Sequence, residues 1–221
     1  MAFRGFGEGA LRFYEALAAN NTRDWWHANK TWYERDVRAP LEYLLEDLRD
    51  EFGEAKVFRP NRDVRFSKDK SPYKTSAAAV VGYDAEGSHT LYVQLSAEGL
   101  MVAGGAYMMA ADQLARLRAA IDDDRTGTEL ERITADIRRH KGEIGAHDEL
   151  KTAPRGYPVD HPRIELLRYK GITGWFTHPP RPWLHTPEAR RKVAEGWRAL
   201  APLNAWLAAN VGPSTLPPRM R

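Results

Sequence analysis

The sequence predicts an α+β fold, an antiparallel meander flanked by helices in a single compact domain, and three observations carry that reading. Apolar residues recur at helical spacing before residue 53 and again after residue 111. The segment between them alternates apolar and polar residues in short runs broken by glycine. Hydrophobic residues make up 43% of 221, enough for one core, and no low-complexity linker divides the chain. The expected layout is one domain over 1–221, with N-terminal helices over 9–53, a central sheet over 57–106, helices over 111–209 and a flexible tail over 212–221.

The chain has no cysteine, which excludes a disulfide framework and a thiol nucleophile. Its first ten residues lack the apolar core of a signal peptide, and no run approaches a membrane span. The expectation is a cytoplasmic protein with no membrane partner.

Residues 9–20 read as a first helix, with Leu11, Tyr14 and Leu17 on one face and an Asn20-Asn21-Thr22 stop. Thr22 is placed to cap a second helix bearing Trp25, Trp26, Trp32 and Tyr33, whose spacing suits core packing better than a ligand platform. Asn29, Lys30 and Arg35 either line a pocket or form a solvated face. Pro40 fits the first turn of a third helix that buries Leu41, Leu44, Leu45 and Leu48 and stops at Gly53.

Residues 58–75, FRPNRDVRFSKDKSPYKT, stand apart. Arg59, Arg62, Arg65, Lys68, Lys70 and Lys74 face only Asp63 and Asp69, a local balance of +4 in a chain whose formal charge is +3. Interleaved Val64, Phe66 and Tyr73, punctuated by Pro60 and Pro72, argue for a strand running into a rigid turn. Extended over 62–67, that strand puts Val64 and Phe66 on a buried face with Arg62, and Asp63, Arg65 and Ser67 on the other. Charge held in this way suits phosphate.

Small and β-branched residues over 75–83 form the next expected strand, followed by a loop over 84–88 and a strand over 89–96. Gly99 suits the positive-φ position of a hairpin that returns over 100–106. Gly104-Gly105 permits close approach of a ligand or backbone, or marks a bulge, and lacks the spacing of a dinucleotide fingerprint. Two helices follow, one with Leu114, Leu117 and Ile121, the other with Leu130, Ile133 and Ile137 and a Thr126/Glu129 capping box. The turn at Asp122-Asp123-Asp124 reads as a cap with a solvated corner rather than a metal site, and no metal or cofactor is expected.

Residues 150–171 form a second basic stretch. Lys151, Arg155, Arg163, Arg168 and Lys170 accompany Thr152, Tyr157 and His161, with Pro154, Gly156 and Pro158 shaping a loop and Asp160 placed to cap a short helix. Trp175, Phe176 and Trp183 begin a proline-rich passage, and Thr186-Pro187 opens a long helix that Pro202 is expected to kink or divide.

Four runs, RDVRFSKDKSPYKT, NNTRDWWHANKTWYERDVRAPLE, YVQLSAEGLMVAGGAYM and LKTAPRGYPVDHPRIELLRYKG, resemble the bacterial and fungal family called domain of unknown function 2461 over nearly the whole chain. The resemblance implies relatives and no mechanism.

Enzyme motifs are absent: no HExxH, GxSxG or P-loop occurs, and the seven histidines have no metal-ligand spacing. His161 and His185 precede expected helix starts, where the dipole favours a neutral imidazole. The leading reading is a basic site for a phosphate-bearing ligand, nucleic acid or phosphorylated metabolite, built from Arg62, Arg65, Lys68, Lys70, Lys74, Lys151, Arg155 and Arg168, with the two basic stretches converging on one surface. The alternative is an enzyme acting on such a ligand, in which Arg65, Lys68 and Arg155 clamp phosphate and His161, Tyr157 or Asp63 handles protons. The third is a structural or protein-interaction role in which the basic stretches are salt-bridged. Oligomeric state is left open.

Overall fold

The computed structural model describes residues 2–82 and 90–217. The sequence readings that fall on 83–89 and on the tail past 217 lie outside the described residues. In chain order the elements are α1 (Ala10–Ala19), α2 (Arg23–Tyr33), a π-helical segment (Glu34–Arg38), α3 (Ala39–Phe52), β1 (Ala55–Val57), β2 (Ser76–Val81), β3 (Thr90–Ser96) and β4 (Gly99–Ala106). Then come α4 (Ala111–Asp122), α5 (Asp124–Arg139), β5 (Glu143–Gly145), α6 (Ile164–Arg168), β6 (Ile172–His178) and α7 (Glu188–Asn210). The α+β class holds, with an antiparallel sheet of order β1-β2-β3-β4-β6-β5. Ala55 pairs with Val81 at one edge and Glu143 with Trp175 at the other.

Contacts gather the chain into two compact units. The first contains the chain up to Gly82, Tyr92–Val102 and Thr177–Glu195. Its core begins with an aromatic cluster on Phe13, whose ring meets Tyr14, Trp25, Trp26, Trp32 and Tyr33 at centroid distances of 5.4 to 5.7 Å. The tryptophans of α2 are therefore packing residues. Thr22 caps α2, its hydroxyl accepting from the Trp25 amide at 3.2 Å. The leucines at 41, 44, 45 and 48 are buried as their spacing requires, and Gly53, at φ 96°, ends α3. In β2 the run from Ala77 to Val81 is buried throughout, as befits a strand covered on both faces. A side chain at Gly99 would come within 2.2 Å of the His178 carbonyl oxygen, so the hairpin demands glycine by space as well as by φ.

The second unit contains residues 90–91, Ala103–Phe176 and the chain from Gly196. Leu117, Ile121, Leu130, Ile133, Ile137, Trp197, Leu200, Leu203 and Trp206 are buried in it. Gly105 settles the diglycine question toward backbone: at φ 122° its α-carbon faces Ile172, whose carbonyl oxygen leaves 2.3 Å for any side chain.

Several expectations are corrected. β5 and β6 place strands where only helices were expected, because β5 is too short for a readable alternation and the prolines after His178 mask the alternation of β6. The cap of α5 is Asp123, whose carboxylate accepts from the Thr126 amide at 2.9 Å, while Thr126 is buried and donates to Ala120 O. Asp160 caps nothing: α6 starts at Ile164 after Arg163, without a side-chain cap. α7 runs through Pro202 undivided. The tail is tied down as far as Thr215, since Arg116 donates to Val211 O and Pro213 O, and Asp112 accepts from Ser214 Oγ and the Thr215 amide.

Candidate functional site

The first basic stretch is a loop closed at its foot rather than a strand. Asn61 bridges Tyr73, with Arg62 N–H donating to Pro72 O at 2.9 Å and Lys74 N–H donating to Pro60 O at 2.8 Å. Tyr73 fixes that foot to the first unit. Its ring stacks on Trp26 at 4.2 Å and 12°, and the Asn21 side-chain amide both donates to Tyr73 O and accepts from Tyr73 N–H. Chain ends this close, packed by their own side chains, describe an Ω-loop.

Inside the loop, short polar side chains turn the backbone. Asp63 accepts from the Arg65 amide at 3.2 Å and from its guanidinium at 2.6 Å. Asp69 accepts from the Ser71 amide and hydroxyl and pairs with Arg62. These local bonds compete with a strand ladder and win, because no neighbouring strand offers the segment a partner among the described residues. The expected strand over 62–67 is thus absent, and with it the expected buried face: Phe66 is 96% exposed.

The cations divide into three kinds. Arg62 and Arg65 are paired with carboxylates; Lys70 Nζ donates to Val64 O at 2.9 Å and Lys74 Nζ to Arg59 O at 3.2 Å, both keeping their charge uncompensated. Lys74 also lies over the Phe58 ring at 5.2 Å. Burial, and then the charge of Arg59, hold the Lys74 ammonium below its ordinary pKa. Lys68 is exposed and has no partner among the described residues. The Arg65 hydrogen bonds pull Asp63 down to about 2, and the Ser71 hydroxyl followed by Arg62 pulls Asp69 well below the carboxylate range.

The second basic stretch belongs to the second unit and uses its cations internally. Its loop is closed by the Glu149–Tyr169 bridge and by Leu150 N–H donating to Arg168 O. Arg168 Nε donates to Leu150 O at 2.6 Å, and Lys170 pairs with Asp148 at 2.6 Å. Arg163 is buried and donates to Ile121 O, Asp122 O, Thr128, Asp124 and Glu131 at 3.1 to 3.3 Å, locking the α4–α5 turn. Only Lys151 and Arg155 of this stretch's site candidates are exposed without a partner among the described residues.

The proton-handling candidates are poorly suited to that role. His161 Nδ1 accepts from Arg163 N–H at 2.9 Å, so its Nε2 must carry the proton it donates to Asp122 at 3.1 Å. Both ring nitrogens are therefore occupied in bracing the acidic turn. Burial, with help from the Asp122 charge, raises the Tyr157 hydroxyl above its ordinary value. Asp63 is an exposed, permanently ionised carboxylate near neutral pH. His185 Nδ1 lies 3.1 Å from Phe6 O, a joint between chain segments.

Two clefts open in the first unit, and neither is lined by a residue of the basic loop. One, of about 460 Å³, is lined by Glu8, Gly9, Arg12, Trp32, Arg35 and Asp36. The π-helical segment turns Asp36 inward there: it accepts two bonds from Arg35, at 2.6 and 2.9 Å, and others from the Trp32 indole and the Gly9 amide. Those bonds, Arg35's first, hold its pKa down. Arg35 does line a pocket, while Asn29 is bonded to Trp25 O. The other cleft, of about 280 Å³, carries Arg38, Glu42, Glu46, Arg49 and Glu54, which are largely paired with one another. No group of metal-ligating side chains occurs among the described residues, and no helix there is long and apolar enough to cross a membrane.

Sequence reasoning located the basic loop and missed what anchors it and what it exposes. The Asn21–Tyr73 clamp joins residues 52 positions apart, which no local pattern encodes. Phe66 lies in an apolar-polar alternation that signals a core residue. The family described as "Conserved hypothetical protein (DUF2461)" matches residues 9–206. No curated protein matches the chain.

Proposed function

The chain belongs to the DUF2461 family of conserved hypothetical proteins, and we propose that it is a binding module that takes the phosphate backbone of nucleic acid on the loop over 61–73. The observation that carries this reading is a loop with four cations, flanked by Arg59 and Lys74, against two carboxylates, fixed at both ends and with its tip presented to solvent. A pre-shaped loop loses little conformational entropy on binding, so its cations act as a fixed field. Openness supports a polymer over a compact metabolite, whose recognition needs a pocket that buries most of its surface. The enzyme alternative loses support from the occupied nitrogens of His161 and the low pKa of Asp63. A cytoplasmic location is part of the same proposal, supported by a chain that needs no oxidising compartment.

Titration of a labelled oligonucleotide against salt tests it. The expected result is a linear fall of log K with log salt, with Lys68→Ala lowering the slope by roughly one unit and weakening all sequences alike. Arg65→Lys, which keeps the charge, should leave nucleic-acid binding nearly unchanged. Absence of oligonucleotide binding at low salt, where these attractions are strongest, overturns the reading.

A further inference from the structure

We propose that the loop over 61–73 recognises unpaired bases, with Phe66 as the stacking platform and the loop cations on the adjoining phosphates; this rests on the nucleic-acid reading above. At 96% exposure Phe66 is the most exposed of the large hydrophobic residues described, although the same unit buries Phe3, Phe6 and Phe13 almost completely. A ring left in water forgoes the stabilisation that burial provides, so its position needs another account.

The loop holds the ring outward by its own bonds. Asp63 turns the backbone at Arg65, Ser67 N–H approaches Val64 O at 3.4 Å, and Lys70 Nζ ties down the same carbonyl at 2.9 Å. Arg65 lies over the Phe66 ring, 5.9 Å from its centroid, so one face carries a guanidinium and the other is open. A base stacks on such an open face, with the Arg65 guanidinium on the opposite face contributing a cation–π contact, while the cations without a carboxylate partner, Lys68, Lys70 and Lys74, supply charge for the phosphates. Lys68, exposed and without a partner among the described residues, stands two positions along the chain. Sequence-tolerant stacking next to uncompensated cations is the combination by which single strands are held. Duplex DNA keeps its bases stacked on one another, so the ring has no base face to meet unless a step is opened.

The same features argue against insertion into a lipid surface. A single ring supplies little apolar area, and the guanidinium over it would be dragged toward hydrocarbon with it.

The test uses the full chain at low salt with four probes: a labelled oligothymidylate, a duplex of equal length, inorganic polyphosphate, and vesicles containing phosphatidylserine. Because Phe66 is exposed, Phe66→Ala is expected to fold with an unchanged melting temperature, and Phe66→Trp serves as the conservative companion. Single strand should bind more tightly than duplex. Phe66→Ala should weaken single-strand binding roughly tenfold with the salt slope unchanged, and Phe66→Trp should retain it. Equal affinity for duplex, or indifference of the single strand to Phe66→Ala, overturns the stacking role while leaving the polyanion reading intact. Polyphosphate bound as well as oligothymidylate does the same. Loss of binding to all of the phosphate polymers removes both, and Phe66-dependent binding to vesicles alone replaces them with a membrane contact.

Discussion

The loop over 61–73 and the loop over 148–170 look alike in the sequence, each rich in Arg and Lys and each shaped by proline, but they use their cations differently. In the first, the foot is anchored by uncharged groups, the Tyr73 ring on Trp26 and the Asn21 amide, and Lys70 and Lys74 donate only to backbone carbonyls, without a carboxylate partner. In the second, backbone bonds also close the loop, and the cations add to them: Arg163, Arg168 and Lys170 donate to backbone carbonyls and to Asp148, Asp124 and Glu131. Charge count is therefore a poor guide to charge availability. What decides it is whether the fold puts a carboxylate within reach of the cation.

Substitutions should separate the two kinds of anchoring. The largest effect is expected at Tyr73, which is 5% exposed and stacked: Tyr73→Ala should lower stability by about 3–5 kcal/mol in denaturant unfolding. An unchanged midpoint would mean that the loop is not held by its aromatic foot. Next comes Arg163→Ala, which strips hydrogen bonds from the carbonyls of Ile121 and Asp122 and should cost about 2 kcal/mol. Arg65→Ala in the other loop should leave the unfolding midpoint in place, because an exposed ion pair contributes little. Equal losses at Arg163 and Arg65 would erase the contrast between the loops.

Phe66→Ala should change stability by less than about 0.5 kcal/mol, the behaviour of a surface site rather than of a core ring. Calorimetry showing a loss of several kcal/mol would return Phe66 to the interior. The smallest effect is in pH. Asp63 falls from its ordinary 3.8 to about 2 in the folded chain, so what it contributes is fully present above about pH 4 and is lost as the pH falls through about 2. Protection of the Arg65 amide, which donates to Asp63, relative to its intrinsic exchange rate should be lost over that interval, while the Leu150 amide, bonded to a carbonyl, should not follow the same titration.

Local patterns were sufficient for α2 and α3. The leucine stripe of α3, the Thr22 cap and the Gly53 stop are all properties of adjacent residues, and all three stand in the structure. Short-range reasoning failed where a residue had a distant or competing partner. Asp123 rather than Thr126 caps α5 because Thr126 is taken by Ala120 O, and β6 forms between β4 and β5, which come from earlier parts of the chain.

By itself the sequence determined the α+β class, the order of most elements and the concentration of positive charge over 58–75, since composition and periodicity act over a few residues, and its four motif runs identified the family. The tertiary structure alone decided which of those charges remain available and which face of the basic stretch meets water. An alternating run is amphipathic only if a neighbouring strand accepts its ladder and a core accepts its ring. Residues 62–67 have neither among the described residues, and the Asx bonds of Asp63 and Asp69 turn them into a loop with Phe66 outside. The clamp that makes this loop a fixed surface joins Asn21 to Tyr73, and only folding brings those two residues together.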